Sequence, residues 1–228
     1  MLILLLSCSS HQPTTTQRPL AADMAAHSLA AQTAREAIIV GDLDAANAAG
    51  QQVADRWPLE HLPDTARVDE VVLVQNAQAL AEASSIEGAA AAFGRMSVAC
   101  GSCHAAQGAS PSLPAPAPPP QSEAINEQMQ RYHWAAERMW QGLVLPSQDA
   151  LDEARAALAG STAFSPEWSL DTLHLPADVL AAALSDIGSS PGTNPGSDYG
   201  MLLMTCAACH YYSPGGPKVE EQDRAPQR

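Results

Sequence analysis

The chain has 228 residues, long enough for one or two domains on the usual scale of about 100–150 residues each. Its formal net charge of −14, from 25 acidic against 11 basic side chains, opposes binding to nucleic-acid phosphates or an anionic lipid surface and favours a basic or neutral protein partner. Only two Phe, four Trp and four Tyr are present, so alanine and leucine must supply most of the core, and beyond the N-terminus no stretch nears the ~18 apolar residues of a membrane-spanning helix.

In chain order, Leu4-Leu5-Leu6-Ser7-Cys8 resembles the end of a bacterial lipoprotein signal, in which the cysteine is lipidated. Residues 1–8 are therefore expected to be a signal remnant, with Cys8 as lipid anchor. The apolar run is short and no Lys or Arg precedes it, so the start reads as internal to a longer signal; an ordinary secretory remnant is the alternative. Either version implies export. The polar, Pro-bearing segment 9–19 suits an extended tether.

A first unit over 20–109 opens with Met24, His27, Ala31, Ala34 and Ile38, spaced by three and four on one helix face. Gly41 stops that helix and Asp42 caps the next. A third helix over 64–84 follows His61-Leu62-Pro63, and a fourth carries Phe93, Met96, Cys100 and Cys103 on one face. The segment 110–121 is proline-rich. Its polyproline stiffness would act as a spacer between halves, with docking of the halves left open.

A second unit over 122–213 repeats the order. Ile125, Met129, His133, Ala136, Trp140 and Leu143 share a face, Ser147 caps the next helix, and His174-Leu175-Pro176 precedes a helix over 177–186. Residues 188–196 read as a loop. Tyr199, Leu202, Cys206 and Cys209 lie on a last helix, and 214–228 forms a Pro-, Gly- and charge-rich disordered tail.

Two pentapeptides carry the chemistry: Cys100-Gly-Ser-Cys103-His104 and Cys206-Ala-Ala-Cys209-His210. Cys-x-x-Cys-His is the attachment pattern for c-type haem. Two thiols three residues apart lie on one turn, where each can add to a vinyl group of the porphyrin, and the adjacent histidine reaches the iron. Cys206 lies 106 residues after Cys100, and His133 lies 106 after His27. The chain reads as an internal duplication. A zinc site built from the two thiol pairs is disfavoured by the proline-rich segment between them, and a redox dithiol would need a βαβ context that is missing.

Four helices ending in Cys-x-x-Cys-His resemble the cytochrome c′/c-556 class, which carries its haem motif near the C-terminus of each unit. The resemblance covers both halves and implies an all-α fold of two tandem four-helix bundles, each holding one covalent haem c. It implies His104 and His210 as proximal iron ligands, and a distal position filled from the first helix or left open. The common 106-residue offset favours His27 and His133 there; Met24 and Met129 are 105 apart and form the alternative pair. The histidines of the His-Leu-Pro pairs, His61 and His174, read as helix-start caps.

The function expected is single-electron transfer between redox partners by an exported, periplasmic, lipid-anchored dihaem protein, rather than catalysis. A c′-like protein binding NO or CO at an open distal site is the competing expectation. A dihaem peroxidase is disfavoured because those enzymes pair a different cytochrome fold over a longer chain.

Overall fold

The computed structural model describes residues 17–57, 62, 64–109, 111, 113, 117, 125–159, 177–189 and 194–212. They form α1 (Gln17–Ile39), α2 (Leu43–Asp55), a 3-10 turn (Asp64–Ala66), α3 (Arg67–Ala81), α4 (Ile86–Ala106), α5 (Ile125–Val144), α6 (Gln148–Ala159), α7 (Ala177–Ser189) and α8 (Pro195–Tyr212). The fold is all-α, with no strand among the described residues. Cys8, His61, His174, residues 9–16 of the expected tether, most of the proline-rich segment and the tail lie outside them, while residues 17–19, expected in the tether, open α1.

Side-chain caps set four of the helix starts. Asp42 accepts from the Ala45 N–H at 3.0 Å, Ser85 from Gly88 at 3.1 Å, Ser147 from Ala150 at 3.3 Å and Asn194 from Ser197 at 3.2 Å. Each satisfies an N–H that the helix itself leaves open, and is worth about 1 kcal/mol. Asn194 also explains why the loop expected over 188–196 is shorter than its composition suggests. Proline needs no N–H partner at the first helical position, so α8 begins at Pro195, while α7 keeps Gly188 and Ser189. The third helix of the first half starts as a 3-10 turn and ends at Ala81, short of the expected 84.

Consecutive helices pack within each half, and the halves meet most extensively where α4 lies on α8. The crossing is made of small residues. A methyl on Gly94 would overlap the carbonyl oxygen of Gly196, and one on Gly200 would sit 3.0 Å from that of Ala90, so the two backbones touch. Phe93 and Tyr199, both fully buried, flank the contact with ring centroids 6.1 Å apart. α5 also packs on α4, and α1 on α8. One apolar core runs through both halves. The spacer role expected of the proline-rich segment, holding the halves apart, is not what the packing shows: the halves dock.

The duplication has two registers. In α4 and α8 the offset is 106, as the two Cys-x-x-Cys-His motifs require. In α1 and α5 it is 105: the Asp42 N–H donates to Ala37 at the end of α1, and the Ser147 N–H donates to Gly142 at the end of α5. Burial agrees. His27, Ala30, Ala31, Ala34, Arg35, Ala37, Ile38 and Ile39 are buried, and so is every residue 105 positions later, from Tyr132 to Val144. His27 therefore corresponds to Tyr132 and Met24 to Met129. The His27/His133 pairing inferred from the 106-residue offset does not hold, because one residue of slip turns a side chain by about 100° around a helix.

His133 instead faces a charged bridge between the halves. Arg35 of α1 pairs with Glu137 of α5 and with its neighbour Glu36 at 2.7 Å, and Glu36 lies 4.0 Å from His133 Nε2. His133 and Arg35 hold the Glu36 carboxyl down at about 2 despite its burial. Glu36 in turn holds the His133 imidazolium above its ordinary 6.5. The Glu36 contribution to stability is thus present above pH 4.5 and lost as pH falls toward 2; that of His133 is present below 6.5 and lost as pH rises through its elevated value. Both groups are half-exposed, so the contribution is modest. Glu36→Gln is expected to flatten the acid side of the urea-midpoint profile, and equal acid slopes in both proteins would refute the pairing.

Candidate functional site

The first motif closes α4. Phe93, Met96 and Cys100 are buried on its inner face, and Cys103 and His104 are partly buried one turn further on. The motif borders a largely apolar cavity of about 90 Å³, partly open to solvent. Met24 and His27 of α1 line it too, with Trp57 after α2 and Trp140 and Val144 from α5 of the other half.

His27 is 7 % exposed, and neither ring nitrogen has a hydrogen-bond partner among the described residues. Burial, then the neighbouring charges of His104 and Arg56, push its pKa down to about 4, so the imidazole is neutral at pH 7 and keeps a free lone pair. Trp57 meets it edge-on at 5.6 Å between centroids, and the indole N–H is likewise unpartnered. A buried imidazole without partners costs free energy unless something else occupies its lone pair. The residues fit a haem in this respect.

His104 shows the complementary preparation. Its Nδ1 lies 2.8 Å from the Val144 carbonyl oxygen. A carbonyl only accepts, so Nδ1–H donates, and Nε2 is left with the lone pair a metal needs. Val144 is the last residue of α5, where helical carbonyls run out of N–H partners.

None of the four motif cysteines forms a disulfide among the described residues. Burial foremost, with the second thiol of each motif adding, pushes Cys100 and Cys206 up to about 12. Cys103 is raised by burial and by Asp69 and Glu70. Thiols held protonated are poor nucleophiles for disulfide exchange and poor ready-made zinc ligands. Among the described residues, no three His, Cys, Asp or Glu side chains converge as a metal ion would require.

The second motif closes α8 in the same way. Cys209 is buried, and Cys206 and His210 are partly buried. Burial and His133 lower the His210 pKa, and its Nδ1 has no partner among the described residues. His133, with a side chain 58 % exposed, is within electrostatic reach of His210 but is not enclosed as His27 is. Residues 160–176, which follow α6 as 56–66 follow α2, lie mostly or wholly outside the description, so the rest of this site's wall is not described.

No protein-family model, curated protein or solved structure matches the chain. No described helix is long and apolar enough to cross a membrane. Sequence reasoning placed His27 and both motifs correctly at helix faces, but missed Trp57 and the Val144 carbonyl. Trp57 follows a helix end with no periodicity to reveal it, and a backbone carbonyl carries no sequence signature.

Proposed function

We propose that the chain is a dihaem c-type cytochrome that carries single electrons between protein partners, each half forming a four-helix haem unit and the two docked through α4 and α8. The observation that carries this is the pairing of Cys100-x-x-Cys103-His104 with a buried, neutral, unpartnered His27 across one apolar cavity. Cys100 and Cys103 would hold the first haem by thioethers, each S–H adding across a vinyl group so that sulfur bonds one carbon and hydrogen the other. His104 and His27 would hold its iron; Cys206, Cys209 and His210 would hold the second haem and its iron. Haem supplies a one-electron couple, and the protein sets its position and potential. Val144 orients His104, while Trp57 and Trp140 exclude water from the site. Export and a lipid anchor on Cys8 belong to the same reading, since c-type haem is attached outside the cytoplasmic membrane. The net charge of −14 suits a partner with a basic docking surface.

The test is intact mass and visible spectroscopy of protein expressed with haem-maturation machinery. Two covalent haems are expected, and His27→Ala should add one haem equivalent of CO-reactive, high-spin iron. Absence of covalent haem overturns the function, and a spectrum unchanged by His27→Ala removes His27 from the iron.

A further inference from the structure

We infer that the two haem sites are tuned to different potentials, the first lower, by residue differences at two matched positions: Gly101 against Ala207, and His27 against Tyr132. The inference rests on the haem reading above and goes beyond it, because the sequence duplication alone would predict equal sites.

The first difference acts on the proximal side. A methyl on Gly101 would overlap the Leu143 carbonyl oxygen, and would stand 3.4 Å from the Pro146 ring. Glycine there lets the C-terminal turn of α5 lie directly on α4, which brings the Val144 carbonyl to the His104 Nδ1–H. At the matching place in α8 stands Ala207, fully buried, whose methyl takes the position that glycine leaves empty in α4. His210 Nδ1 finds no partner among the described residues. A carbonyl accepting from a ligating imidazole increases its basicity and favours the more highly charged iron, which lowers the potential. Among the described residues, only the first site has this bond.

The second difference acts on the distal side. His27 is enclosed in the first cavity, and its equivalent in the α1/α5 register is Tyr132, also buried. A neutral phenol is a far weaker iron ligand than imidazole, and His133 is turned toward Glu36 at the surface of the bridge. Two imidazoles on the first iron and one on the second push the potentials apart in the same direction as the proximal bond.

The experiment is a potentiometric titration of the complete dihaem protein, followed by visible absorbance, for the natural sequence, Gly101→Ala and Tyr132→His. Two resolved one-electron components are expected. Gly101→Ala should raise the lower one, changing the oxidised-to-reduced ratio of that haem by about tenfold at fixed potential, the usual scale for losing an outer-shell partner, and leave the upper one in place. Tyr132→His should lower the upper component, and it carries the test alone should Gly101→Ala fail to fold. A single unresolved component, or variants that leave both components unmoved, overturns the inference while two covalent haems still stand. A protein that retains no covalent haem overturns the functional reading itself.

Discussion

Replacing Gly94 with leucine is expected to destabilise the protein by about 3 kcal/mol or more, at the upper end of what overpacking costs. The reason is the partner. A side chain at position 94 meets the backbone of α8, at the Gly196 carbonyl and the Gly200 N–H, and backbone cannot rotate aside as a flexible side chain can. The two helices would have to separate, and the contact between them lies at the middle of the one core that both halves share. Phe93 and Tyr199 would lose their packing with it. Gly88, also in α4 but exposed near its start, is the control: a methyl there meets nothing closer than 3.4 Å. Gly88→Ala should be neutral or stabilising by up to about 1 kcal/mol, through helix propensity and a less flexible unfolded chain. Urea unfolding of the three proteins decides the matter. A midpoint for Gly94→Leu close to that of the natural sequence would mean that the halves are not held by this crossing.

That crossing also shows where sequence reading stops. Helix faces were legible because three- and four-residue spacing marks them, and caps were legible at Asp42 and Ser147 because short polar side chains beside a helix start have few other roles. Docking of the halves was not legible. The contact is built from Gly94, Gly196, Gly200 and Ala90, residues whose value lies in what they lack, and no apolar periodicity marks them. A proline-rich connection then suggests separation, although a stiff segment constrains the path of the chain and not whether its ends pack.

The distal histidines teach a narrower lesson. The haem motifs fix a 106-residue repeat in α4 and α8, and carrying it across the whole chain paired His27 with His133. The caps at Asp42 and Ser147, 105 apart, already contained the other register, as did Met24 and Met129. An offset measured on one helix pair transfers to another only if the loops between them have equal lengths, and one residue of difference moves a side chain from the core to the charged bridge. The reading of His104 and His210 does not depend on that arithmetic, because each histidine directly follows its own Cys-x-x-Cys pair.

The second large effect is expected at Arg35. Its side chain is 8 % exposed, paired with Glu137 and Glu36, and stacked over the Trp140 ring at 5.0 Å. Burial alone would lower the guanidinium pKa, but Tyr199, Glu137 and Glu36 together hold it up, so the charge persists in the folded state. Arg35→Ala removes the cation and leaves the Glu137 carboxylate, only 22 % exposed, without it, a loss of about 3 kcal/mol by the general cost of breaking a largely buried pair. Gln141 Nε2 still donates to Glu137 at 3.2 Å, which keeps the loss from being larger. Arg35→Ala combined with Glu137→Gln should recover part of the stability, because the remaining amide no longer carries an unpaired charge. A double variant no more stable than Arg35→Ala would show that Arg35 acts through packing alone. The same substitution reaches the cavity beside Cys100, Cys103 and His104, since Trp140 forms part of that wall and loses the group seated on its face. On the proposed haem reading, Arg35→Ala should therefore broaden the visible bands of the first haem more than those of the second, whereas Glu36→Gln, which leaves the Arg35–Glu137 pair and the Trp140 stack in place, should leave those bands as they are.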